Sequence, residues 1–269
     1  MNDYDFYIET RGNSTNTPLL FLHGFMGNGD DFHAIISQLA EDFYCLAIDL
    51  PGHGKTNING RDDCYNMEQT GNAIAKFLDN LNLLQCYLLG YSMGGRLALY
   101  LALHFPQKFP KIILESASPG LKNPLEQEKR REKDAQLANI LETRSLENFL
   151  EDWYQNSLFS SLQSQAKFET KFEIMIQRRR QNDPLLLAKS LRYIGTGQQP
   201  SLWDELKTLQ NPLLLLVGEL DAKFTAIATQ MQILSPLVQL QIVENCGHNI
   251  HLENPERFIK KVKYFLNAS

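Results

Sequence analysis

The sequence predicts an α/β fold: a mostly parallel central sheet flanked by helices, with a helical insertion. Three observations lead there. Strand-length apolar runs alternate with helix-forming segments up to residue 114 and resume after residue 212, the order that builds a parallel sheet covered on both faces. The pentapeptide Gly90-Tyr91-Ser92-Met93-Gly94 stands between one such run and a helix-forming segment. A charged stretch without β-branched runs separates the two strand-bearing halves.

Taken in order, residues 5–10 and 19–22 read as strands, followed by a helix near 32–39 and a strand at 44–49. A helix spans 67–81, and a strand at 85–89 leads into the pentapeptide. Arg96-Leu97-Ala98-Leu99-Tyr100-Leu101-Ala102 contains good helix formers and no breaker. Residues 111–114 are again strand-like, and the character changes at Ser118-Pro119-Gly120. From about 125 to 195 the chain is charged and helix-forming, and it includes the run Arg178-Arg179-Arg180. Strand patterns return at 213–217 and 240–243, and a helix at 255–266 starts with Pro255 in its first turn. The expected organisation is a core of residues 1–120 and 196–269 interrupted by a helical lid at 121–195.

A hydrophobic share of 43% suffices for a sizeable core, and a net charge of −5 gives no reason to expect nucleic acid or an anionic membrane as partner. No apolar run approaches the ~20 residues that span a bilayer. The start, Met1-Asn2-Asp3-Tyr4-Asp5, lacks the basic and apolar stretches of a signal peptide. Cys45, Cys64, Cys86 and Cys246 form no C-x-x-C pair, so neither zinc nor disulfides are expected. The expectation is a cytoplasmic monomer with no metal and no organic cofactor.

Ser92, set between strand and helix and flanked by glycines, has the setting of a nucleophile elbow. A serine needs a base, and the base needs an orienting carboxylate. Of His23, His33, His53, His104, His248 and His251, only the last two follow the final predicted strand; His248 comes directly after Gly247. His251 is then assigned a supporting or surface contact. In Gly218-Glu219-Leu220-Asp221, just past a predicted strand, Asp221 has the spacing of the acid and Glu219 that of a loop-stabilising residue. Glu115, at another strand end, is the alternative acid. Oxyanion donors would be the N–H of Met93, at the start of a helix where peptide N–H groups lack intrahelical partners, and that of Phe25 in the loop His23-Gly24-Phe25. The loop Asp49-Leu50-Pro51-Gly52-His53-Gly54 is as well explained by turn geometry as by function.

These motifs together resemble the α/β-hydrolase superfamily over most of the chain. More narrowly, Gly90-Tyr91-Ser92-Met93-Gly94-Gly95-Arg96, Asp152-Trp153-Tyr154 and Gly195-Thr196-Gly197-Gln198-Gln199-Pro200-Ser201 resemble the MenH family. Glu115-Ser116-Ala117-Ser118-Pro119-Gly120-Leu121, Gly218-Glu219-Leu220-Asp221-Ala222-Lys223-Phe224 and Gly247-His248-Asn249-Ile250-His251 add to the match. Members of that family are 2-succinyl-6-hydroxy-2,4-cyclohexadiene-1-carboxylate (SHCHC) synthases of menaquinone and phylloquinone biosynthesis. The resemblance implies a small polycarboxylate substrate, proton abstraction by Ser92 acting through His248 and Asp221, and loss of pyruvate. It also implies substrate contacts at Tyr91, Arg96, Arg130, Trp153 and one of the Arg178–Arg180 run, with the spacing to Asn182-Asp183-Pro184 favouring Arg179.

Arg96 follows Ser92 by one helical turn on the same face. It reads either as a clamp for a substrate carboxylate or as a structural pair with a protein carboxylate. Trp153 reads otherwise as a core residue of the insertion, and the arginine run as a solvated helix face. The alternatives to a synthase are a serine hydrolase cleaving an ester, thioester or C–C bond of an acidic metabolite, and a non-catalytic binding protein. The intact Ser92–Asp221–His248 set speaks against the latter.

Overall fold

The computed structural model describes residues 3–163 and 168–268. The first half contains β1 (Tyr4–Asp5), β2 (Ile8–Arg11), β3 (Pro18–Leu22), α1 (His33–Leu39), β4 (Tyr44–Ile48), β5 (Asn57–Ile58) and α2 (Met67–Asn80). Then come β6 (Tyr87–Tyr91), α3 (Met93–His104) and β7 (Ile112–Glu115). Five helices follow: α4 (Pro124–Thr143), α5 (Leu146–Tyr154), α6 (Ser160–Gln163), α7 (Phe168–Arg179) and α8 (Pro184–Ile194). The chain ends with β8 (Leu213–Gly218), α9 (Ala222–Leu234), β9 (Val238–Val243), α10 (Ile250–Glu253) and α11 (Pro255–Asn267).

Seven strands form the main sheet in the order β2-β4-β3-β6-β7-β8-β9. Only β2 runs antiparallel to its neighbour. The inner strands β3, β4, β6 and β8 are apolar because both faces are covered, whereas edge strand β9 alternates with Gln239 and Gln241. Successive residues alternate sides: Leu88 of β6 joins the core beneath α3, and Leu89 joins the core beneath α1 and α11. The register pairs Leu22 with Gly90, Tyr91 with Glu115 and Gly218 with Val243. The carboxyl ends of β3, β6, β7, β8 and β9 therefore lie along one edge. Loops after those ends are where open α/β sheets bind ligands.

The helices between β7 and β8 have a small core of their own, with Ala138, Leu141, Phe149, Leu150, Leu187 and Leu191 buried around Met26 of the sheet-side loop. Asn123 ahead of Pro124, and Asp183 ahead of Pro184, cap α4 and α8 through side-chain oxygens. Among the described residues no helix is long and apolar enough to cross a membrane.

The strand expected at residues 5–10 is split. Tyr7 donates its N–H to Thr56 Oγ1 at 2.9 Å instead of joining the ladder, so β1 pairs with β5 while β2 pairs with β4. The strand expected at 85–89 is β6, which starts two residues later. Cys86 donates its N–H to Lys108 O before the ladder begins, so this thiol precedes the strand, though it is buried like the other three.

Candidate active site

Ser92 sits at the amino end of α3 with φ 50° and ψ −105°, a positive-φ conformation that an L-residue holds only where its surroundings enforce it. The neighbouring glycines are a steric need. A Cβ on Gly90 would lie 2.5 Å from Gly94 O, and one on Gly94 would lie 2.1 Å from Leu22 O. Helix α3 passes too close to its own strand β6 and to the end of β3 for any side chain there.

His248 Nε2 lies 3.2 Å from Ser92 Oγ, and His248 Nδ1 lies 2.7 Å from Asp221 Oδ2. The carboxylate accepts a hydrogen bond from Nδ1–H, which leaves the Nε2 lone pair facing the serine hydroxyl. Asp221 is also the cap of α9: its Oδ1 accepts the N–H of Phe224 at 3.2 Å. One carboxylate oxygen is thus tied to a helix and the other aims the imidazole. Glu253 holds the His248 loop by accepting the N–H groups of Gly247 at 2.9 Å and Asn249 at 3.3 Å.

Glu115 is not the triad acid. It accepts both the N–H and the Nδ1–H of His251, at 2.9 and 2.7 Å. His251 is buried in this pair, so its supporting role stands and the surface reading does not. Glu219 accepts the N–H of Asn245 at 3.0 Å, as a loop-stabilising residue would.

A cavity of about 180 Å³ opens over Ser92 and His248, lined also by Phe25, Met93, Arg96, Arg130, Trp153 and Lys223. Met93 is the first residue of α3, so its N–H has no intrahelical acceptor. The Phe25 ring packs against Trp153 at 5.3 Å between centroids, so a residue of the helical insertion closes on the oxyanion loop. Among the described residues no aspartate or glutamate lines this cavity, whereas three cations do.

Arg96 is 9% exposed, and its Nη1 donates to Ile194 O and Gln199 Oε1, both at 3.0 Å. Both acceptors are neutral, which removes the ion-pair reading. Burial, reinforced by Arg130, pushes its guanidinium down to about 10, so it remains charged at neutral pH. Arg130 reaches the cavity from α4, with Nε bonded to Asp134 Oδ1 at 2.7 Å, and Asp134 also accepts the N–H of Gly197. Trp153 lines the cavity while stacking on Phe149, so it packs within the insertion and faces the site at once.

Two expected contacts lie elsewhere. Tyr91 does not line the cavity. As the last residue of β6 it points to the opposite face from Gly90, and its ring packs on His248 at 5.6 Å and His251 at 5.0 Å. Arg179 also stays out. Its Nη1 and Nη2 each donate to one oxygen of Asp31 at 2.7 Å, and its Nε donates to the Tyr154 hydroxyl at 3.3 Å. Three of its five N–H groups are thus engaged, two of them bidentate on one carboxylate. Burial alone would lower its basicity, and the Asp31 carboxylate reverses the sign and raises it. Arg178 donates to Asp30 O and Arg180 pairs with Glu147, so no member of the run lines the cavity. Asp31 precedes Arg179 by 148 positions, a separation across which sequence carries no pairing signal.

Two residues beyond the expected set matter. Gln199 holds Arg96, and its glutamine-rich segment was the available sign. Lys223 stands at the cavity mouth two residues past Asp221, where a cation beside the acid loop was the available sign.

A sequence profile described as "alpha/beta hydrolase fold" matches residues 17–255. The chain is 35% identical to the putative SHCHC synthase of Bacillus subtilis, over 97% of this chain and 94% of the relative. It is 35% identical to the SHCHC synthase of an Enterobacter species, over 92% and 91%. It is also 32% identical to the chloroplast protein PHYLLO of Arabidopsis thaliana, spanning only 16% of that protein's length. Among solved structures, MenH from S. aureus superposes with a TM-score of 0.89 and 36% identity, covering 99% of this chain and 98% of that one. An enol-lactonase from Burkholderia xenovorans, 18% identical with a TM-score of 0.81, shares the fold alone.

Proposed function

Because this chain belongs to the α/β-hydrolase family and, within it, to the SHCHC synthases, we infer that it is a lyase of menaquinone or phylloquinone biosynthesis. It eliminates pyruvate from 2-succinyl-5-enolpyruvyl-6-hydroxy-3-cyclohexene-1-carboxylate. The observation that carries this reading is the triad opening into a cavity that Arg96, Arg130 and Lys223 line and, among the described residues, no carboxylate does. A polycarboxylate is the ligand such a lining selects.

In the proposed reaction, Ser92 Oγ passes its proton to His248 Nε2 and takes one from ring carbon 2, next to the succinyl carbonyl. The freed electron pair forms the C2=C3 double bond, the C3=C4 pair moves to C4=C5, and the C5–O bond breaks. Pyruvate leaves as its enolate and receives the proton held on His248. Serine is a base throughout, and no acyl-enzyme forms. The N–H groups of Phe25 and Met93 hold the charge that develops on the succinyl oxygen. Arg96 and Arg130 hold substrate carboxylates, and Trp153 over Phe25 excludes water from the ring. Four buried, free thiols support a cytoplasmic setting.

The test is pyruvate release from the enolpyruvyl substrate, run beside turnover of simple aryl esters. Pyruvate release without an acyl-serine adduct is expected. Rapid ester turnover through such an adduct, with no pyruvate, would replace the synthase by a hydrolase.

A further inference from the structure

We propose that Lys223 is the third cation of this cavity and receives, at its mouth, the substrate carboxylate that Arg96 and Arg130 do not hold. The proposal rests on the polycarboxylate reading above. That substrate carries three carboxylates: on the succinyl chain, on the ring and on the enolpyruvyl group. The cavity lining offers three cations, Arg96, Arg130 and Lys223, and no acid among the described residues. They are graded in depth. Arg96 is buried, the Arg130 side chain is one-third exposed at 33%, and Lys223 is exposed. Arg179, the other residue expected to supply a third cation, is spent on Asp31.

Two features separate Lys223 from an ordinary surface lysine. It has no ion pair among the described residues, whereas Lys189 and Arg192 of α8 pair with Asp62 and Glu142. The nearby carboxylate of Asp221 is already shared between Phe224 N–H and His248. Lys223 also stands in the first turn of α9, directly after Asp221 and Ala222. A cation there opposes the helix dipole, so helix stability gives no reason for it. A local choice that works against its own element marks a functional position. Its ammonium stands over the Phe224 ring, 5.5 Å from the centroid. Partial desolvation first, then Arg130 and Lys133, lowers its pKa against the opposing pull of Asp221. An arriving carboxylate relieves that repulsion.

The experiment measures pyruvate release by wild type, Lys223→Gln and Lys223→Arg at several ionic strengths. Lys223→Gln is expected to raise KM about three- to tenfold with kcat within about twofold, the range of a partly exposed charge-assisted contact. Its KM should depend less on salt than that of wild type, and Lys223→Arg should restore both. Wild-type release with an unchanged KM and salt slope in Lys223→Gln overturns the proposal and leaves the synthase reading intact. If wild type releases no pyruvate, the synthase reading fails, and calorimetric binding of propane-1,2,3-tricarboxylate decides Lys223 separately. Weaker binding by Lys223→Gln would support its role as an anion contact, and equal binding would overturn it.

Discussion

Two buried arginines of this molecule behave in opposite ways. Arg96, under the floor of the cavity, donates to a backbone carbonyl and a glutamine amide and keeps an uncompensated charge facing the space above Ser92. Arg179, where α7 meets the sheet-side loops, is locked bidentate onto Asp31 and closed off from that space. A buried guanidinium is costly unless something answers its charge. At Arg179 the answer comes from the protein, and the residue ties the helical insertion to the core. At Arg96 both acceptors are neutral, and under the proposed function a substrate carboxylate would answer the charge.

The largest effect tests whether the floor is the chemical part at all. Ser92→Ala should lower pyruvate release about 10²–10⁴-fold, the usual worth of a positioned proton-transfer group. Turnover within tenfold of wild type would remove the serine from the chemistry and the contrast with it. Next, Arg179→Ala leaves the Asp31 carboxylate buried without its partner, which should cost about 3–5 kcal/mol in denaturant unfolding. The KM of the folded enzyme should change little. A variant of native stability with a raised KM would move Arg179 into the substrate site.

Arg96→Ala should show the reverse signature: kcat/KM lower by about 10- to 150-fold, matching a charge-assisted bond of about 1.5–3 kcal/mol, with little loss of stability. Near-native kcat/KM would make the two arginines alike. The smallest effect is a pH dependence. Burial alone would lift the Asp31 carboxyl, but the Arg179 guanidinium outweighs it and holds the carboxyl below its usual range. Its folded value lies below its unfolded one, so its contribution is complete above pH ~4 and is lost as pH falls through the folded value. The acid limb of the stability curve should therefore be shallower in Asp31→Asn than in wild type. Parallel limbs would mean that the pair contributes no linkage.

Much of the core was legible because its signals are local. Gly90 answers a contact between one strand and the next helix, and the inner apolar runs are strands of the parallel sheet. Asp221 and His248 were legible by order along the chain, each just past a strand. Arg96 was legible as a cation one turn from the serine, but its two readings could be separated only by finding Ile194 and Gln199 at its tip instead of a carboxylate. Arg179 and Tyr91 misled for a shared reason. Their surroundings come from distant segments: Asp31 for the first, and the His248–His251 loop for the second.

By itself, then, the sequence determined which residues could do the chemistry and the strand ends that carry them. Hydrophobic period, turn chemistry and close backbone approach act between neighbours in the chain. Tertiary structure alone decided which charges are spent and which are free. A charge is answered by whatever lies within a few ångströms in space, and here the partners come from across the fold.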